Sequence, residues 1–142
     1  MKTSNLRPGL MINLTQHSFS ADQLAEFQQA GVEVIDLDTA HIRAQISFDE
    51  LPAREEIAQR ARDLARWVWD QVETLESKRK VDLRRPIYTM IGGAPFFMGP
   101  LEKALGACDM APVYAFSKRA VVEDPETGQK TSVFKHEGFV VV

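Results

Sequence analysis

Residues 9–37 read GLMINLTQHSFSADQLAEFQQAGVEVIDL. Gly9 to Leu14 is a short apolar run, the signature of a buried strand, and it breaks into the polar run Asn13 to Ser18. Ser20 and Asp22 are both suited to cap a helix over Ala21 to Ala30, in which Leu24 and Phe27 share one face. Gly31 is a natural helix stop. Val32 to Leu37 then alternates and is rich in β-branched residues, so it reads as a second strand. The spacing fits a βαβ unit and hence a parallel pair of strands.

Working outward, His41 to Phe48 alternates weakly and fits a short strand or a loop. Pro52 suits the first turn of a helix extending to about Lys78. Ile57, Ala61, Leu64, Val68, Val72 and Leu75 recur there at spacings of three and four, a single apolar stripe. The Glu56/Arg60 and Arg62/Arg66 pairs are expected on its outer surface. Lys78, Arg79, Lys80, Arg84 and Arg85 mark a charged connection, read as a solvated loop. Pro86 to Ile91 is a third strand closed by Gly92-Gly93. A helix follows to about Ala107, with Pro95 or Pro100 in its first turn. Val113 to Val122 and Thr131 to Val142 are strand-like, and the turn residues 124–128 join them as a hairpin. The order β-α-β-α-β-α-β-β predicts one α/β domain over residues 1–142. Its sheet is mostly parallel and covered by helices, with an antiparallel hairpin at the C-terminal end.

The composition fits that reading. Of the 142 residues, 44% are hydrophobic and 26% charged, which suits a globular chain with a real core. A net charge of −3 argues against a long nucleic acid as partner. No apolar run reaches the ~20 residues that span a bilayer, and the start lacks an apolar signal region. These features predict a soluble cytoplasmic protein with no membrane partner. The single cysteine, Cys108, has no disulfide mate and reads as a core residue. No cluster has metal-ligand spacing, so neither metal nor other cofactor is expected.

Ligands of open α/β sheets bind beyond the carboxyl ends of the strands. Three segments place unusual residues there. Thr15, Gln16, His17 and Ser18 follow strand one; they offer hydroxyls, an amide and a group that titrates near neutrality. They fit a capped polar loop equally well. Gly92, Gly93 and Ala94 follow strand three; the glycines admit close approach of a ligand, and a helix starting there would favour an anion. A tight turn needs the same glycines. Ser117, Lys118 and Arg119 suit an anion, but the two cations fall on opposite faces of a strand, so only one can serve a common site. Exposed strand charges are the plain alternative. Lys135 and His136 sit on the last strand, in a register the sequence does not give. Together the segments predict a pocket for a small anionic or nucleotide ligand.

The pattern Leu14-Thr15-Gln16-His17, the following Ser20-Ala21-Asp22-Gln23-Leu24 and the glycine before strand two resemble the small CRISPR-associated Rossmann-fold (CARF-like) proteins. That resemblance implies a Rossmann-like fold, cytoplasmic antiviral defence and recognition of a cyclic oligoadenylate by a homodimer, with the ligand across the two-fold axis. In the relatives called ring nucleases it implies cleavage without metal, the ribose 2′-hydroxyl attacking the adjoining phosphate. Carried onto this chain, His17, Ser117 and Lys118 are the candidate catalytic residues, with His17 as base or charge stabiliser. Two other readings stand beside it. One is a non-catalytic interaction or regulatory domain, using whichever of Trp67 and Trp69 is exposed. The other is an enzyme acting on an ordinary nucleotide.

Overall fold

The computed structural model describes residues 3–78 and 80–142; Arg79, part of the predicted charged connection, lies outside the described residues. The elements are β1 (Gly9–Asn13), α1 (Ala21–Ala30), β2 (Val32–Val34), α2 (Thr39–Ile46), α3 (Arg54–Ser77), β3 (Ile87–Met90), α4 (Pro95–Ala107), β4 (Ala111–Glu123) and β5 (Lys130–Val141). They form one five-stranded sheet in the order β2-β1-β3-β4-β5. β1 pairs parallel with β2 and β3, and β3 pairs parallel with β4. The β4–β5 pair is antiparallel. The fold is therefore Rossmann-like α/β, mostly parallel, with a C-terminal antiparallel hairpin.

Strand alternation divides the core into two layers. Leu10, Ile12 and Leu14 of the β1 segment and Ile87 and Ile91 of the β3 segment point toward α2, α3 and α4, joining Leu64, Val68, Phe97 and Leu101. Met11, Tyr88 and Met90 point the other way, toward Phe27 of α1 and Phe139 of β5. Phe27 lies between Phe19, edge-on at 4.8 Å, and Phe139, stacked at 5.0 Å. Nearby, Asn5 Nδ2 donates to the Phe139 carbonyl, and His136 Nε2 lies 2.8 Å from Glu26 Oε1. These contacts hold the base of β5 against α1 and give His136 a structural role.

Of the two candidate caps for α1, Ser20 serves. Its hydroxyl accepts from the Gln23 N–H at 3.1 Å while Gln23 Oε1 accepts from the Ser20 N–H at 2.9 Å. This reciprocal pair is a capping box. Gly31 ends the helix in the left-handed region at φ 75°.

The segment read as a strand or loop, His41 to Phe48, is corrected: Thr39–Ile46 is a helix. Asp38 Oδ1 accepts from the N–H groups of Ala40 and His41, which fixes its start. Its buried residues, Ile42 and Ile46, are four apart. That spacing satisfies both a two-residue and a 3.6-residue period, so alternation was no guide. The Pro52 reading is also corrected, because α3 begins at Arg54 with Ala53 as its cap. Glu55 and Glu56 in the first turn, rather than a side-chain cap, complement the helix dipole. Pro95 takes the first turn of α4, and Pro100 lies inside the helix. Among the described residues no helix is long and apolar enough to cross a membrane.

Phe27→Ala should destabilise the domain by about 3–5 kcal/mol, since it removes the centre of one core layer. Urea denaturation followed by circular dichroism reads this directly, and a loss below about 1 kcal/mol would show that α1 is not held by this layer.

Candidate functional site

The β1–β3 ladder sets Asn13 beside Met90. The Leu14 N–H donates to the Met90 carbonyl at 2.8 Å, one step beyond the strand end. The two loops that follow therefore leave the sheet side by side. Between them opens a cleft of about 740 Å³, walled by Thr15 to Ser18, Ser47 to Asp49, Gly92 to Ala94, Phe96, Tyr114 and Ala115. The size suits a small-molecule ligand.

Asn13 builds the first wall. Its Oδ1 accepts from the Thr15 N–H at 2.9 Å, its Nδ2 donates to the His17 carbonyl at 2.6 Å, and the Thr15 hydroxyl lies 2.7 Å from Oδ1. The His17 N–H in turn donates to the Thr15 hydroxyl at 3.2 Å. Thr15 is thus engaged in shaping the turn, and the exposed side chains of His17 and Ser18 stand at the cleft.

The second wall is the loop between α2 and α3, which the sequence reading passed over. Gln16 Nε2 donates to Ser47 Oγ at 3.0 Å, tying this loop to the first. Arg60 of α3 donates to the Ser47 carbonyl at 2.6 Å and lies 4.5 Å above the Phe48 ring. The expected Glu56 pair is present at 3.0 Å, yet Arg60 is half-buried and turned to the loop rather than out to solvent. Phe48 meets Phe96 edge-on at 5.0 Å and Phe97 at 5.3 Å. Phe96 leaves 48% of its surface exposed and so gives the cleft an aromatic wall. Paired aromatics spaced far apart in sequence carried the only signal for this wall, and no local motif marked it.

The third wall is the glycine loop. Among the described residues, no protein acceptor takes the N–H groups of Gly92, Gly93 or Ala94. Gly93 has φ 133°, a conformation that a side chain rarely adopts. The helix that follows has no side-chain cap. Donors and dipole together suit an anionic group.

Ser117, Lys118 and Arg119 are placed elsewhere. β3 pairs with β4 only at Ala111–Val113, so the hairpin runs on past the sheet as an exposed arm. All three residues lie on that arm and none lines the cleft. The register sets Ser117 opposite His136 and Lys118 opposite Lys135. Arg119 lies 5.5 Å from the centre of the Phe134 ring. The cleft therefore offers backbone N–H groups rather than these cations. Trp67 and Trp69 are both half-buried against the core, and Trp67 stacks on His41 at 4.2 Å. Cys108, expected in the core, is half-buried at the end of α4.

The Tyr114 hydroxyl donates to Glu102 at 2.5 Å across the base of the arm. Burial, and then the Glu102 carboxylate, push the phenol up to about 12 from an ordinary value of 10.0. The folded chain thus holds this proton more tightly than the unfolded chain. The resulting stability is complete below the ordinary phenol range and is lost as pH rises through about 12.

The chain belongs to the Uncharacterized protein MJ1673 family, whose profile matches residues 9–140. The match takes in both the cleft and the arm. Comparison with curated proteins and with solved structures returns no match.

Gly93→Ala should destabilise the fold by about 1–3 kcal/mol through backbone strain. Gly92→Ala should cost far less, since its added methyl would meet Thr15 at an ordinary 3.7 Å. Urea midpoints of the two variants measured together test the difference, and equal losses would contradict it. Ultraviolet titration should show a phenol ionising late, near pH 12, and Tyr114→Phe should remove that phase.

Proposed function

We propose that the strand-end cleft binds a nucleotide ligand of the cyclic-oligoadenylate type. The observation that carries this reading is the meeting, in one cleft, of an exposed aromatic wall and three unpaired backbone donors. Phe96, backed by Phe48, suits the face or edge of a base. The N–H groups of Gly92, Gly93 and Ala94 suit phosphate oxygens. Gln16, His17 and Ser18 then stand where ribose hydroxyls would lie. The resemblance of the first loop to CARF-like proteins supports the same ligand class.

A cleavage step fits this arrangement without a metal. The ribose 2′-oxygen attacks the adjoining phosphorus, and its proton passes to the His17 imidazole. The bond from phosphorus to the 5′-oxygen breaks, that oxygen takes up a proton, and a linear product with a 2′,3′-cyclic phosphate results. The glycine-loop donors would stabilise charge developing on the phosphoryl oxygens. Ser117 and Lys118, out on the arm, take no part in this step within one copy.

The test uses purified protein at micromolar concentration, cyclic tetra- and hexa-adenylate, and a metal chelator. Binding should be saturable, and linear products should form despite the chelator. Phe96→Ala should weaken binding about tenfold or more. His17→Ala should retain binding and lose cleavage. Absence of both binding and cleavage would overturn the reading. Binding of mononucleotides alone would move it to an enzyme of ordinary nucleotides.

A further inference from the structure

The arm beyond the sheet is built as half of something. β4 runs to Glu123, yet β3 accompanies it only as far as Val113. From Tyr114 onward, one edge of β4 has β5 beside it and the other has no strand among the described residues. A lone two-stranded ribbon is marginal in water, and an open edge is a template for another strand. The arm also keeps apolar side chains in solvent: Phe134 is 72% exposed, Val121 65% and Val122 46%. Within the ribbon Lys118 stands directly opposite Lys135, an unfavourable like-charge pair.

The open edge carries its own complement. Residues 118–124 read Lys-Arg-Ala-Val-Val-Glu-Asp, two cations, an apolar centre and two carboxylates. Antiparallel pairing of this stretch with a second copy sets basic end against acidic end. Symmetry narrows the register further. A two-fold ladder must carry each hydrogen-bonded pair onto another of the same kind, so one residue has to face its own copy. With Val121 at the axis, Ala120 faces Val122, Arg119 faces Glu123, and Lys118 comes level with Asp124, the first residue past β4, whose Oδ1 also accepts from the Glu126 N–H. Centring on Ala120 would put Arg119 opposite Val121. Centring on Val122 would put Val121 opposite Glu123. Only the Val121 register matches both cations with both carboxylates.

We infer that two copies of this chain associate by antiparallel pairing of their β4 arms about a two-fold axis at Val121, forming a four-stranded ribbon. The occupant of the open edge is thus a second copy, chosen by charge and register. Neither Arg119 nor Lys118 has an ion-pair partner among the described residues of its own chain. The Glu123 carboxylate is likewise free of one, although the strand register sets Lys130 opposite it. The two clefts would lie about 40 Å apart along the ribbon, at ~3.3 Å per residue, so each copy would take its own ligand rather than share one across the two-fold axis. The association holds whatever the clefts bind.

The test is sedimentation of the full chain without nucleotide, across a wide concentration series. The parent protein should form a concentration-dependent dimer. Arg119→Glu and Glu123→Arg, each alone, should weaken the dimer about tenfold or more, since like charges then face each other twice. An equimolar mixture of these two variants should recover it, because every Glu then meets an Arg. The double variant, with both charges exchanged, should recover it too. Circular dichroism keeps loss of fold apart from loss of pairing. A parent protein that stays monomeric throughout, or single variants that associate as the parent does, would overturn the inference. So would failure of the mixture to recover association when both variants are folded.

Discussion

The parallel pairing of β1 with β3 sets the level at which both loops leave the sheet. The Leu14–Met90 hydrogen bond continues that pairing one residue past the strand. From there Asn13 turns the first loop back on itself, and Gly92 and Gly93 turn the second into α4. Were the ladder to slip by one residue, every side chain of β1 would change faces, and Leu10, Ile12 and Leu14 would leave the layer they share with α3. Core burial thus fixes the register, and the register fixes the cleft. The cleft's polarity is a consequence of where strands end, because loop backbone at a sheet edge keeps donors that a ladder would have used.

Support for the cleft comes from residues outside the strands. Arg60 reaches from α3 to the Ser47 carbonyl and covers Phe48, so the longest helix holds a loop as well as a core. Gln16 links that loop to the first. Phe48 then leans on Phe96 and Phe97, which ties the loop to the start of α4. Three separate elements are in this way held in one arrangement by side chains. A rigid pocket built from loops needs this kind of cross-bracing.

The sequence made the frame legible because its signals were local. The Ser20 and Gln23 capping pair, the Gly31 stop and the stripe from Ile57 to Leu75 each act within a few residues. The α2 helix was missed because Ile42 and Ile46 obey two periods at once. The site was half legible. The polar run after β1 and the glycines after β3 stood out as poor core material, and both line the cleft. Phe48 and Phe96 did not, because an aromatic residue in a sequence reads as core until its neighbours are known. Ser117 to Arg119 were assigned to the same strand-end group because sequence gives no measure of how far a strand outruns its neighbour. β4 continues ten residues past the last one paired with β3, and that overhang carries the cations away from the cleft.

The stacking of Phe27 on Phe139 joins residues far apart in the sequence. Asn5 and Phe139, and Glu26 and His136, make the same long connection. During synthesis the layer formed by α2, α3 and α4 has all its fully buried residues once Met110 has emerged, and it can close on β1 and β3 early. The α1 layer has no such option. It lacks Phe139, the ring that stacks on Phe27, until well after Met110 has been made, so Phe27 waits for its partner longer than the residues of the other layer do. The nascent chain is therefore asymmetric in time: one face of its sheet is finished while the other is still an open apolar surface.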